Sequence, residues 1–315
     1  MLVGYATVLA VLPYLTLKVA WIAGSTVGIV RPSTLDASTV RTGNMVTASL
    51  ELIAVGVVLT FTHTWGLRLP AWLVLAPAWA GIGLLAPFVV TGPAIAASVA
   101  SGAPAGDGSL AAWVGPLVYL SFAGQALGLV TLFALYARQR WSHVICARLA
   151  DRPESASQHA LVAVTSGGVT LLVAASVPRL LPNLGRYAGT SHLATERGIA
   201  ERLSDGTAAL AAAAAIAGLV MLLWRYPRRS RTWPALTLAW VGTGAVWGSN
   251  CYSLILVLID RADVSSGSAV ASIPALDLIQ IVGATALAVV GTVVLSELHA
   301  TGRSSPQSVR VDHRP

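Results

Sequence analysis

Apolar runs of about 20 residues alternate with short polar breaks along nearly the whole chain, and that is the length at which a helix rising 1.5 Å per residue crosses ~30 Å of hydrocarbon. The runs fall at 2–28, 43–62, 70–92, 112–136, 160–181, 207–225, 234–259 and 274–296. They predict eight spanning helices in an all-α, polytopic transmembrane bundle, a single domain over residues 1–300. Alternating strands of about ten residues, the pattern of a membrane β-barrel, do not occur. Pro77, Pro87 and Pro93 fall in and just after the third run, where a kink or re-entrant end is expected. The first run has no basic residue before its core and contains Lys18, so it reads as a retained helix rather than a cleaved leader.

Composition agrees with the pattern: 55% of residues are hydrophobic, 10% are charged and the mean hydropathy is +0.72. The net charge of +7 does not point to nucleic acid, because the arginines are dispersed among the connections. They point to anionic lipid headgroups. With the N-terminus inside, the inner connections and tail hold twelve arginines and the outer connections seven. The positive-inside rule then places both termini in the cytoplasm of a bacterial inner membrane. Arginine makes up nineteen of the twenty basic residues, a bias expected of a GC-rich genome. The segment 136–152 mixes arginines with Trp141, Val144, Ile145 and Leu149, as an interfacial stretch snorkelling toward acidic lipid does. Residues 190–204 carry the cap signal and charge spacing of a short surface helix, and 301–315 read as a disordered cytoplasmic tail. Cys146 and Cys251 fit no metal or redox spacing and read as plain thiols.

A faint internal repeat is present. PAWLVLAPAWAGIG from Pro70 resembles PALTLAWVGTG from Pro234 once short gaps are allowed. An offset of four spans preserves orientation, so the expectation is a 4+4 parallel repeat.

Polar residues inside a span are expensive and therefore candidates for function. Lys18 and Glu51 lie at nearly the same depth counted from the connection they share, and a buried ion pair between them is expected. Asp277, Asn250 and Gln125 complete the candidate set, with Ser121 and Gln280 beside them. The set is biased toward the outer half, as a pocket open to the outside requires. The structural alternative is a Lys18–Glu51 clamp, with the amides bonding between helices. The motifs GSTVG, SGG, GTG and GATALAVVG read as close-packing stripes, and the deeper tryptophans as core. No P-loop, HExxH, GxSxG, aspartate-rich pair or intramembrane histidine occurs, so no cofactor or metal is expected.

The stretches LPYLTLKVAWIAGSTVGIV, LRLPAWLVLAPAWAGIGLLAP and TLFALYARQRW resemble a group of uncharacterised integral membrane proteins from actinobacteria. The resemblance implies a multi-span topology and carries no activity. The function expected from the residues is transporter-like, with an outward-facing polar pocket for a small molecule or ion. A membrane-embedded enzyme acting on a lipid or isoprenoid, and a non-catalytic subunit or immunity-type protein, are the alternatives.

Overall fold

A computed structural model describes residues 1–31, 37–102, 109–152, 157–183, 199–261 and 273–304. Among them ten α-helices form: α1 (Leu2–Ile22), α2 (Ala37–Thr62), α3 (Ala71–Leu85), α4 (Phe88–Ala100), α5 (Val114–Arg140), the short α6 (Ser142–Cys146), α7 (Gln158–Asn183), α8 (Ile199–Trp224), α9 (Thr232–Arg261) and α10 (Ile273–Ser304). No sheet is formed among the described residues, only isolated bridges.

Seven stretches are long and apolar enough to cross a membrane, with α3 and α4 counted as one. The protein is a multi-pass membrane protein. The eighth helix of comparable length, α9, spans 30 residues but dilutes its apolar character with Thr, Gly, Ser, Asn and three tryptophans. It is the most enclosed of the set, packing against α8, α10 and α3. Helices here are apolar all round because they meet neighbours on one side and acyl chains on the other. Leu52, Leu127, Leu210 and Val289 accordingly point outward.

The element boundaries refine the sequence expectations. The first span ends at Ile22 rather than near 28, because Gly24 takes a positive φ of 89°. The third span breaks between Leu85 and Phe88, where Pro87 supplies no N–H for the ladder. Residues 199–204 open α8, and the rest of the surface helix expected over 190–204 lies outside the described residues. The tail from 305 onward lies outside them as well, while 301–304 close α10.

Helix boundaries reveal a register that the gapped motif only suggested. At a constant offset of 161 residues, the end of α1 falls on the end of α7, the start of α3 on the start of α9, and the end of α4 on the end of α9. α2 matches α8 to within one residue. In this register Ala78-Trp79-x-Gly81-x-Gly83 aligns without gaps on Ala239-Trp240-x-Gly242-x-Gly244. The pairing pattern repeats too: α1 packs on α2 and α5 as α7 packs on α8 and α10, and α4 packs on α5 as α9 packs on α10. The two halves meet chiefly where α3 crosses its own equivalent, α9. A Cβ on Gly244 would stand 3.2 Å from Gly83 Cα and 2.8 Å from the Trp79 carbonyl oxygen. Equivalent residues face one another only near a two-fold axis, so the 4+4 parallel repeat has its axis at this glycine crossing.

The halves differ in one packing contact. α8 and α9 are in intimate contact, whereas α2 and α3 touch little. A Cβ on Gly218 would lie 2.6 Å from Ala235 O, and one on Gly242 would lie 2.6 Å from Ala211 O. The equivalents of Gly218 and Ala235 are Val57 and Val74, whose branched side chains hold α2 away from α3. Gly81, the equivalent of Gly242, faces open space.

Candidate functional site

The end of the bundle holding the N-terminus of α1 is termed proximal here, and the opposite end distal. Near the distal end each half carries one cation at the same place, Lys18 in α1 and Arg179 in α7, 161 residues apart. Each stands four residues before the end of its helix. What surrounds them differs.

In the second half the cation is saturated. Arg179 pairs with Asp277, and its other arm donates to Asn250 Oδ1 at 3.0 Å and to Gln280 Oε1 at 3.2 Å. Ser253 donates to the second carboxylate oxygen at 3.0 Å. Gln280 donates to Ser176 at 3.1 Å, and Asn250 to Val246 O at 2.6 Å. Asp277, Asn250 and Gln280 are fully buried. With every carboxylate oxygen occupied, the cluster joins α7, α9 and α10 as a closed tie. Arg179 was not among the residues singled out from sequence. It reads there as a loop arginine at the end of an apolar run, although an Asp277 buried in a span requires a counter-cation nearby.

In the first half the cation and acid stand apart. Lys18 Nζ donates to Asn44 Oδ1 at 2.9 Å and lies 4.9 Å from the Tyr14 ring centre and 5.1 Å from that of Trp21, within cation–π range. The expected Lys18–Glu51 ion pair is not formed; among the described residues the ion pairs are Arg152–Glu297 and Arg179–Asp277. Asn44 precedes Glu51 by two helical turns, so the lysine is held closer to the distal surface than the acid is. Glu51 is buried, and its Oε2 has no hydrogen-bond partner. Its polar neighbours include the Gln125 amide and, at longer range, Lys18 and Tyr14. Gln125 in turn donates to Ser121 at 3.3 Å, and Ser121 to the Ala10 carbonyl. An unpaired carboxyl oxygen buried in a membrane bundle is costly, and a lysine held on a neutral amide within electrostatic range is a counter-charge that it does not pair with.

The five candidates therefore divide into two clusters rather than lining one pocket: Lys18, Glu51 and Gln125 with α1, α2 and α5, and Asn250 and Asp277 with α9 and α10. Tyr252 of α9 lies within electrostatic range of Tyr14 of α1. Tyr14, Phe122 and Phe88 form an aromatic row, with ring centres 4.7 Å and then 4.8 Å apart. A cavity of about 200 Å³ opens elsewhere, at the proximal end among Met1, His63, Leu67, Leu135 and Gln139. Cys146 and Cys251 are both free thiols, and no group of three metal-ligating side chains occurs among the described residues.

No protein-family model matches the chain, and no curated protein or solved structure does either.

Proposed function

We propose that the protein is a transporter-like membrane protein whose exchangeable site is the Lys18–Glu51–Gln125 cluster, set in a bacterial inner membrane with both termini in the cytoplasm. One observation carries this reading: Glu51 presents a buried carboxyl oxygen without a partner, while the nearby cation rests on a neutral amide. The equivalent cation of the second half shows what a finished structural tie looks like in the same scaffold. The first half departs from it. Here Lys18 attracts an anionic group of a small solute, and Glu51 exchanges a proton or re-engages the lysine. The loose α2–α3 packing supports the reading, because a site that opens needs a helix free to shift. Division into two like halves meeting at a small-residue crossing supports it too, since rocking of repeats about a shared axis is a common route to alternating access.

The test is accessibility. In a Cys146→Ser/Cys251→Ser background, Lys18→Cys is labelled with a membrane-impermeant thiol reagent from the distal side of sealed vesicles. Labelling that a bound solute slows is the expected result. Complete protection, together with a Glu51→Gln variant altered only in stability, would leave a structural polar cluster and overturn the proposal.

A further inference from the structure

Two connections remote in sequence are joined at the proximal end. The Leu149 N–H donates to Ser230 O at 2.9 Å and the Thr232 N–H to Ala147 O at 2.9 Å. The buried Thr232 hydroxyl donates to Val144 O. The two backbone bonds enclose an antiparallel bridge between Arg148 and Arg231. A pair enclosed in this way stands directly opposite across the bridge, its two Cβ atoms on one face and ~4.5–5.5 Å apart. Both arginines are exposed.

Like charges placed directly opposite one another are destabilising. Among the described residues neither arginine forms an ion pair; the ion pairs there are made by Arg152 and Arg179. The carboxylate of Asp151 is turned back onto the Arg148 backbone N–H at 2.9 Å. Exposed Arg228 and Arg229 lie on the same turn as Arg231, so the bridge sits at the centre of a concentrated positive field. The arrangement is built by backbone and buried side-chain bonds and sets two exposed arginines directly opposite one another.

We propose that Arg148 and Arg231 form a fork for the phosphate of an anionic phospholipid headgroup. Two guanidinium groups on one face converge on an anion with several acceptor oxygens, and a bound phosphate turns their repulsion into charge-assisted hydrogen bonds. The aromatic setting favours lipid over a dissolved anion. Trp224, Tyr226 and Trp233 are 56%, 72% and 51% exposed. They flank the same turn at the ends of α8 and α9, where amphipathic rings anchor at headgroup level. This is narrower than the general attraction of basic loops for acidic lipid, because it assigns the binding to one pair of residues.

The experiment uses the full chain in nanodiscs of phosphatidylcholine, with and without phosphatidylglycerol, and reads thermal unfolding and lipid affinity. Phosphatidylglycerol is expected to raise the Tm of the parent protein. Arg148→Gln and Arg231→Gln should each weaken its binding about tenfold, the loss of one charge-assisted contact. In phosphatidylcholine alone the same substitutions should leave the Tm unchanged or higher, because they remove a like-charge pair. Arg138→Gln, an exposed arginine outside the bridge, should keep the full lipid effect. Equal loss of stability in both lipids would make the arginines structural and overturn the proposal. So would inorganic phosphate reproducing the Tm shift in phosphatidylcholine, which would mean a site for free phosphate.

Discussion

Gly83 and Gly244, 161 residues apart in the chain, meet where α3 crosses α9, and neither has room for a Cβ. The contact sets how closely the two halves approach. Gly83→Ala and Gly244→Ala should each destabilise the protein by ~1–3 kcal/mol through overpacking, measured as a fall in the thermal midpoint in detergent. The repeat supplies an internal control. Gly242→Ala should be costly, because its Cβ would lie 2.6 Å from Ala211 O, whereas Gly81→Ala at the equivalent place meets nothing within 4 Å. Equal effects at 81 and 242 would contradict the packing difference between the halves.

The two cation clusters should respond differently to loss of their acids. Asp277→Asn leaves Arg179 without the carboxylate that it pairs with, and breaking such a buried pair costs ~3–5 kcal/mol. Glu51→Gln removes no ion pair and no hydrogen bond to Oε2, so its effect on thermal stability should be small or favourable. A melting comparison of the two variants decides the matter; similar losses would mean that Glu51 carries a structural load after all.

Trp79 and Trp240 are equivalent residues with unequal satisfaction. Trp79 Nε1 donates to Thr243 Oγ1 at 3.1 Å, while Trp240 Nε1 is buried without a partner. The position equivalent to Thr243 is Ile82, which has no acceptor to offer. Ile82→Thr should therefore give the Trp240 indole a partner, red-shift its fluorescence and offset the loss of apolar burial, leaving stability within about 1 kcal/mol of the parent. In a Trp240→Phe background the same substitution should be plainly destabilising.

At the proximal end Arg152 ties three elements together. It pairs with Glu297 at 3.0 Å, donates to Leu222 O at 3.0 Å and is itself buried. Arg152→Gln should cost several kcal/mol and expose the α6–α7 connection to limited proteolysis, while Glu297→Gln, which keeps an acceptor, should cost less. Identical protease sensitivity in the two variants would contradict the tie.

Much of the architecture was legible in the one-dimensional pattern. Span number and class followed from run length, because hydrocarbon admits only helices that satisfy their own backbone. The kink at Pro87 followed from a missing donor. The polar candidates Glu51, Asn250, Asp277 and Gln125 were found because buried polar side chains stand out in apolar runs, and the structure buries all of them. Other features depended on lateral packing, which run length does not encode. Which helix faces which placed Lys18 on Asn44 instead of Glu51 and brought Arg179, a nominal loop residue, onto Asp277. The repeat was visible as a short motif, but its 161-residue register emerged only from helix boundaries, because lipid-facing positions drift freely among apolar residues and retain little pairwise identity. Sequence by itself determined that this chain crosses a membrane as helices and roughly where it is polar; only the tertiary structure decided which charges are tied and which buried carboxyl oxygen is left without a partner, since pairing depends on the rotation and distance between helices that no single helix specifies.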